Sequence, residues 1–196
     1  RSLLIAISML FYFGSLSFMP IAQGLAGLFT SPIFILLITA FILKERIGPV
    51  RILAVGLGFF GIILVLELEA SSLSWVSFIP VFGGFFYALG SVATRQLCEG
   101  ESTVSLLSML LIIQFMMGSC ALVILSIYGL DVSDGSEGFL LRGWVWPITE
   151  VLPYIGLQSL GSILGIGLII RAYQIGDASY VAVYEYSVFV FAPLYA

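Results

Sequence analysis

No histidine occurs among the 196 residues, and Asp, Glu, Lys and Arg together make up only 9% of them. Without an imidazole, this sequence has no His-dependent triad, His-ligated metal site or His proton shuttle. A soluble domain carries about 25% charged residues. Seven basic and 11 acidic side chains are too few to cover a water-soluble fold of this size. Cys98 and Cys120 fit neither a metal-ligand spacing nor a disulfide framework. So few basic residues, at a net charge of −4, argue against nucleic acid as a partner. No Gly-x-x-x-x-Gly-Lys pattern is present, so the sequence holds no P-loop with which to hydrolyse ATP. No metal and no cofactor is expected.

What the sequence does contain is apolar length. Hydrophobic residues make up 61% of it, gathered into runs of about 20 residues, the length that spans a bilayer as a helix. Seven such runs are expected to be spans: Leu3–Met19, Ala22–Leu43, Val50–Leu66, Trp75–Thr94, Val104–Tyr128, Ile148–Ile170 and Ala178–Ala196. One such run is compatible with a buried helix of a soluble protein; seven in succession are not. The fold class is therefore an all-α polytopic membrane protein. Arg1 is not a natural start and the last run stops short of a full span, so the chain reads as a fragment lacking both ends of its parent.

The basic residues orient these spans. If the first run leaves the cytoplasm, Arg1, Lys44, Arg46, Arg51, Arg95 and Arg171 fall inside and only Arg142 outside. That asymmetry is the positive-inside pattern. The longest loop, about 129–147, then lies outside; its first half is polar linker and its second half an interfacial stretch with Trp144 and Trp146. Glycines recur inside the spans, including Gly56, Gly58, Gly61, Gly83, Gly84 and the pair Gly161 and Gly165 at GxxxG spacing. Lipid supplies no hydrophobic drive between helices, and small residues let backbones approach closely, so ordinary helix packing is expected there.

Glu185 is the one clear carboxylate within a span. Counted from Ala178 it lies about 10 Å along the helix, towards the middle of a core about 30 Å thick. An ionised side chain there is costly and tends to face the bundle interior, find a partner or hold a proton. It is a candidate for binding substrate or coupling a proton, or equally a structural carboxyl bonded to Tyr or Ser on a neighbouring helix. Tyr180, Tyr184 and Ser187, at i, i+4 and i+7, share a face beside it, suited to a pocket for a small amphipathic molecule or to tight packing. Thr30 and Ser31 precede Pro32, which removes a backbone hydrogen bond and kinks the second span; the hydroxyls can satisfy freed carbonyls.

Two stretches carry a resemblance. One runs from Phe18-Met19-Pro20-Ile21-Ala22 through Phe29-Thr30-Ser31-Pro32-Ile33-Phe34 to Leu43-Lys44-Glu45-Arg46; the other is Gly58-Phe59-Phe60-Gly61-Ile62-Ile63-Leu64-Val65. Together they resemble the EamA-type branch of the drug/metabolite transporter superfamily. The resemblance implies ten spans in two five-helix repeats of opposite orientation, of which this chain would hold about spans three to nine: residues 1–68 the rest of the first repeat, and 73–196 a truncated second. Inverted repeats of this kind recur among secondary transporters. A shift of 155 positions sets Phe18 against Tyr173, Phe29 against Tyr184, Phe34 against Phe189 and Thr30 against Glu185, a match of aromatic and apolar character rather than identity. Many relatives carry Glu-Pro where this chain has Tyr186-Ser187, with Glu185 one position earlier, so a role for Glu185 cannot be copied from them.

In that fold the spans holding Tyr12, Ser31, Tyr87, Gln158 and Tyr184 would border the central cavity. The resemblance implies a secondary transporter of a small organic metabolite (an amino acid, a related metabolite or a drug) in the bacterial inner membrane, working by alternating access. Its partners would be a small-molecule substrate and the lipid bilayer, with a coupling proton and a homodimer as options. A seven-helix receptor or sensor is the alternative. An embedded enzyme would need clustered catalytic residues, which the spans do not supply.

Overall fold

A computed structural model describes residues 1–65, 75–128, 138, 140–143 and 149–188, with the side chains of 62, 64 and 65 excepted. The described residues form helices and no strand. They are α1 (Ser2–Ser15), α2 (Ile21–Leu28), α3 (Ser31–Leu37), α4 (Pro49–Val65), α5 (Ile79–Leu97), α6 (Thr103–Tyr128), α7 (Leu152–Ile175) and α8 (Ala178–Glu185). Four helical stretches are long and apolar enough to cross a membrane: Ile21–Ile42, Trp75–Leu97, Thr103–Tyr128 and Leu152–Ile175. The chain is thus an all-α polytopic membrane protein. Ser2–Ser15 is apolar but shorter, ending four residues before the expected Met19. The sixth span sits later than expected, running to Ile175 rather than Ile170 because Arg171 and Gln174 continue the helix. The loop around 129–137, most of its interfacial half, Glu67 and Glu69, and residues 189–196 of the last run lie outside the described residues.

The second span is not one straight helix. Pro32 has no N–H to donate to Leu28, and α2 closes into a tighter turn in which the Thr30 N–H reaches the Gly27 carbonyl at 3.2 Å. The Thr30 hydroxyl donates to the same carbonyl at 2.6 Å. Pro32 then takes an early position in α3, where its missing donor costs nothing. Further on, Ile38–Ile42 forms a π-helical turn, closed by the Leu43 N–H on the Ile38 carbonyl at 3.1 Å.

Helix α5 runs through the middle of the bundle, packed by α1, α2, α3, α7 and α8. Its buried face explains why: Gly83, Gly84, Ala88, Gly90 and Ser91 present almost no side chain, so neighbouring backbones come close. A Cβ on Gly84 would stand 2.7 Å from the Thr30 hydroxyl oxygen and 2.9 Å from the Gly27 carbonyl, so the α2–α5 crossing requires glycine there. One apolar cluster, around Ile35, Ala88, Val92, Tyr173 and Ala182, ties α3, α5, α7 and α8 together. A second, around Ile5, Ala6 and Leu110, joins α1 to α6. Gly161 and Gly165 behave differently from the expectation: no atom of the described residues lies within 4 Å of the Cβ either would carry. The first half of α7 presents its whole circumference outward, so this GxxxG packs against no described helix.

Side-chain contacts gather the basic residues at one end of the bundle. The Arg1 guanidinium donates to Thr94 at 2.9 Å, and Arg95 to the Gln174 carbonyl at 2.8 Å. Arg51 meets Asp177 at 3.1 Å, and the Gln96 amide reaches Glu45 at 3.4 Å. Gln174 is buried at the same end, where its amide donates at 2.8 Å to the Cys98 and Glu101 carbonyls and accepts from Thr103 at 2.7 Å. This one side chain thus adds three hydrogen bonds to the α5–α6 turn, beside the turn's own bond from the Glu101 N–H to the Cys98 carbonyl at 3.2 Å.

Candidate functional site

The Pro32 break opens space beside α5. A cavity of about 570 Å³ lies there, within the size range of small-molecule sites. Leu28, Phe29 and Ser31 contribute the wall at the break, Tyr87 the α5 wall, and Leu168, Ile169 and Ala172 the α7 wall. Helix α8 and the turn after it supply Val181, Tyr184, Glu185, Ser187 and Val188. The lining is apolar and aromatic apart from a few hydroxyls and one carboxyl.

That carboxyl is held by two phenols. The Tyr87 hydroxyl donates to Glu185 Oε1 at 2.8 Å, and the Tyr173 hydroxyl donates to the same oxygen at 3.0 Å. Both are within strong O–H···O range. Tyr87 comes from α5, 98 positions away, and Tyr173 from α7, 12 positions away, so the carboxyl is tied to two helices besides its own. Among the described residues nothing donates to Oε2, and that oxygen is not fully buried. No Lys or Arg among the described residues lines the space. Chemically, the arrangement offers flat apolar walls, an aromatic ring on each of three sides (Phe29, Tyr87 and Tyr184), and one directed hydrogen-bond acceptor.

Of the residues singled out in the sequence, Glu185, Tyr87, Tyr184 and Ser31 come together on the cavity wall. The other four stand elsewhere. Thr30 is turned towards α5, its hydroxyl spent on the Gly27 carbonyl. Tyr180 is stacked under the Arg51 guanidinium, 5.2 Å from it, and its hydroxyl meets that of Tyr184 at 3.4 Å. Tyr12 lies beside Phe13 with ring centroids 5.1 Å apart, on the far side of α2 near Gly24. Gln158 is exposed on α7, with its amide 3.4 Å from the Ser162 hydroxyl. Sequence reasoning missed Tyr173, because the sixth span was ended at Ile170. Continuing it to the Gly176-Asp177 turn signal would have brought Tyr173 inside.

Fold and site together define an α-helical membrane protein with a ligand-sized, partly open cavity whose described lining includes one carboxyl. No family model and no solved structure matches the chain. It is similar to curated bacterial transporters. It is 28% identical over 170 residues to the riboflavin transporter of Vibrio cholerae, covering 86% of this chain and 51% of that protein. To the riboflavin transporter of Rhizobium johnstonii it is 30% identical over 113 residues, 58% of this chain and 37% of that one. An uncharacterized transporter of Helicobacter pylori is 23% identical over 190 residues, 96% of this chain and 60% of that protein. The chain thus spans about half or less of the riboflavin transporters it matches.

Proposed function

We propose that the protein is a secondary transporter that carries a small organic metabolite across a bacterial inner membrane by alternating access, and that riboflavin is its substrate. The single observation that carries this reading is the 570 Å³ cavity with Glu185 at its wall, in a chain similar to transporters. Intramembrane carboxyls are expensive and commonly belong to substrate or ion pathways. The relatives named riboflavin transporter support riboflavin as the substrate, and the cavity's aromatic, hydroxyl-bearing walls suit a flat heterocycle with a polar chain.

The remaining parts of the reading follow from the EamA-type resemblance. Residues 1–68 and 73–196 are proposed to belong to two inverted repeats that rock against each other. The end that holds Arg1, Arg51 and Arg95 is proposed to be cytoplasmic, by the excess of basic residues there. Glu185 is proposed to act in the transport cycle.

Uptake of riboflavin by proteoliposomes containing the full-length protein tests this. Flux above that of empty liposomes is expected, with Glu185→Gln reducing it at least about tenfold, as loss of a hydrogen-bonding carboxyl from the site would do, while membrane insertion stays normal. Riboflavin flux no greater than in empty liposomes would refute the substrate. Unchanged flux in the Gln variant would take Glu185 out of the cycle.

A further inference from the structure

The two phenols on Glu185 do not share its oxygens; both end on Oε1. A carboxyl that needed only neutralising inside a bundle would do best with its donors spread over both oxygens. Here one oxygen is doubly occupied, and the other, not fully buried on a residue that lines the cavity, is left with nothing among the described residues to bond. Tyr87 and Tyr173 approach from two different helices, so together they set the carboxyl's rotation as well as its position. Tyr173 is itself fixed: it is buried in the apolar cluster, and the next residue, Gln174, is hydrogen-bonded to the α5–α6 turn.

From this geometry we infer that Tyr87 and Tyr173 are positioning residues that aim Glu185 Oε2 into the cavity, where it takes a hydrogen-bond donor, N–H or O–H, of an uncharged ligand. The rest of the lining says what the ligand cannot carry. No Lys or Arg faces the space among the described residues. A phosphate placed in it would lose part of its water, gain no cation from the described lining and meet the carboxyl oxygen, and an anion that is desolvated without a partner is costly. The site therefore favours a free flavin over its phosphate ester. This inference rests on the proposed transport of riboflavin and adds to it the atom that binds, the residues that aim it and the charge the substrate must lack.

The test is binding, read as quenching of flavin fluorescence by the full-length protein in detergent, with riboflavin and riboflavin 5′-phosphate as the two probes. The wild-type protein is expected to bind riboflavin at least about tenfold more tightly than the phosphate ester, and Glu185→Gln, which offers an amide donor where the carboxyl accepts, is expected to reduce that preference at least about threefold. Tyr173→Phe is expected to weaken riboflavin about five- to tenfold in the wild-type background and less than about twofold in the Glu185→Gln background, because it acts through the carboxyl. Additive effects of the two substitutions would make Tyr173 a packing residue and overturn its positioning role. Equal binding of the two flavins by the wild type, or a preference undiminished in Glu185→Gln, would overturn the ligand-facing oxygen. Binding of neither flavin would overturn the substrate reading and this inference together.

Discussion

The Arg51 guanidinium meets the Asp177 carboxylate at 3.1 Å, although 126 positions of chain separate them. The same guanidinium donates to Ser179 at 2.8 Å and lies 5.2 Å over the Tyr180 ring. It thus joins the start of α4 to the start of α8 by three kinds of contact at once. Asp177 is the residue before α8, where a negative charge also complements the helix dipole.

Removing one side of this pair should have a small effect on stability. The two side chains are 28% and 54% exposed, so solvent screens the ion pair and the contribution is below about 1 kcal/mol. Asp177→Asn is expected to lower Tm by about 1–3 °C in detergent, and by less at high salt. A Tm insensitive both to the substitution and to salt would show that Ser179 and Tyr180 hold Arg51 without the carboxylate.

Glycine positions divide into tolerant and intolerant ones. A Cβ on Gly58 would overlap the Tyr186 ring, so Gly58→Ala is expected to destabilise by about 1–3 kcal/mol, the range for overpacking. Gly161 faces open space, and Gly161→Ala is expected to stabilise by up to about 1 kcal/mol through helix propensity alone. Thermal melts of the two variants side by side check both signs. A stable Gly58→Ala variant would mean that Tyr186 has room to turn aside.

Gln174 should be harder to replace than any polar residue on the outside of the bundle. Gln174→Leu keeps about the same volume but strands the Glu101 carbonyl and the Thr103 hydroxyl, and leaves the Cys98 carbonyl with the Glu101 N–H at 3.2 Å. Each unsatisfied buried group costs about 1–3 kcal/mol, so a loss of about 2–4 kcal/mol is expected after partial hydration of the turn. Amide hydrogen exchange should rise locally over residues 98–103. Unchanged exchange there would mean that the turn holds itself.

Four of the seven expected spans were legible in the sequence as long apolar helices, because lipid leaves the backbone no other partner there. Their ends were less so. Arg171 and Gln174 look like loop residues by hydropathy, yet the first lies outward at the end of α7 and the second is buried, satisfied by the turn it holds. Tyr173 was lost with them. Glu185 and Tyr87 stood out as polar groups within apolar runs, but no local pattern says that residues 98 apart share a hydrogen bond. The spacing of Tyr180 and Tyr184 did foretell a common face, seen in their 5.4 Å ring contact. It could not show that Glu185, about 100° further round α8, would be the residue turned inward to α5 and α7. The Pro32 break was readable as a kink, though not as the opening of a cavity.

Two contacts described separately fix α4 against α8 at different heights. Arg51 touches Asp177 near the first turn of both helices, and Gly58, two turns further along α4, receives the Tyr186 ring just past the end of α8. The two helices therefore run in the same direction, pinned about 10 Å apart along α4. A splint fastened at two points resists twisting as well as sliding. Any rotation that carries Glu185 away from Tyr87 and Tyr173 must either drag α4 along as a rigid outrigger or release both fastenings together.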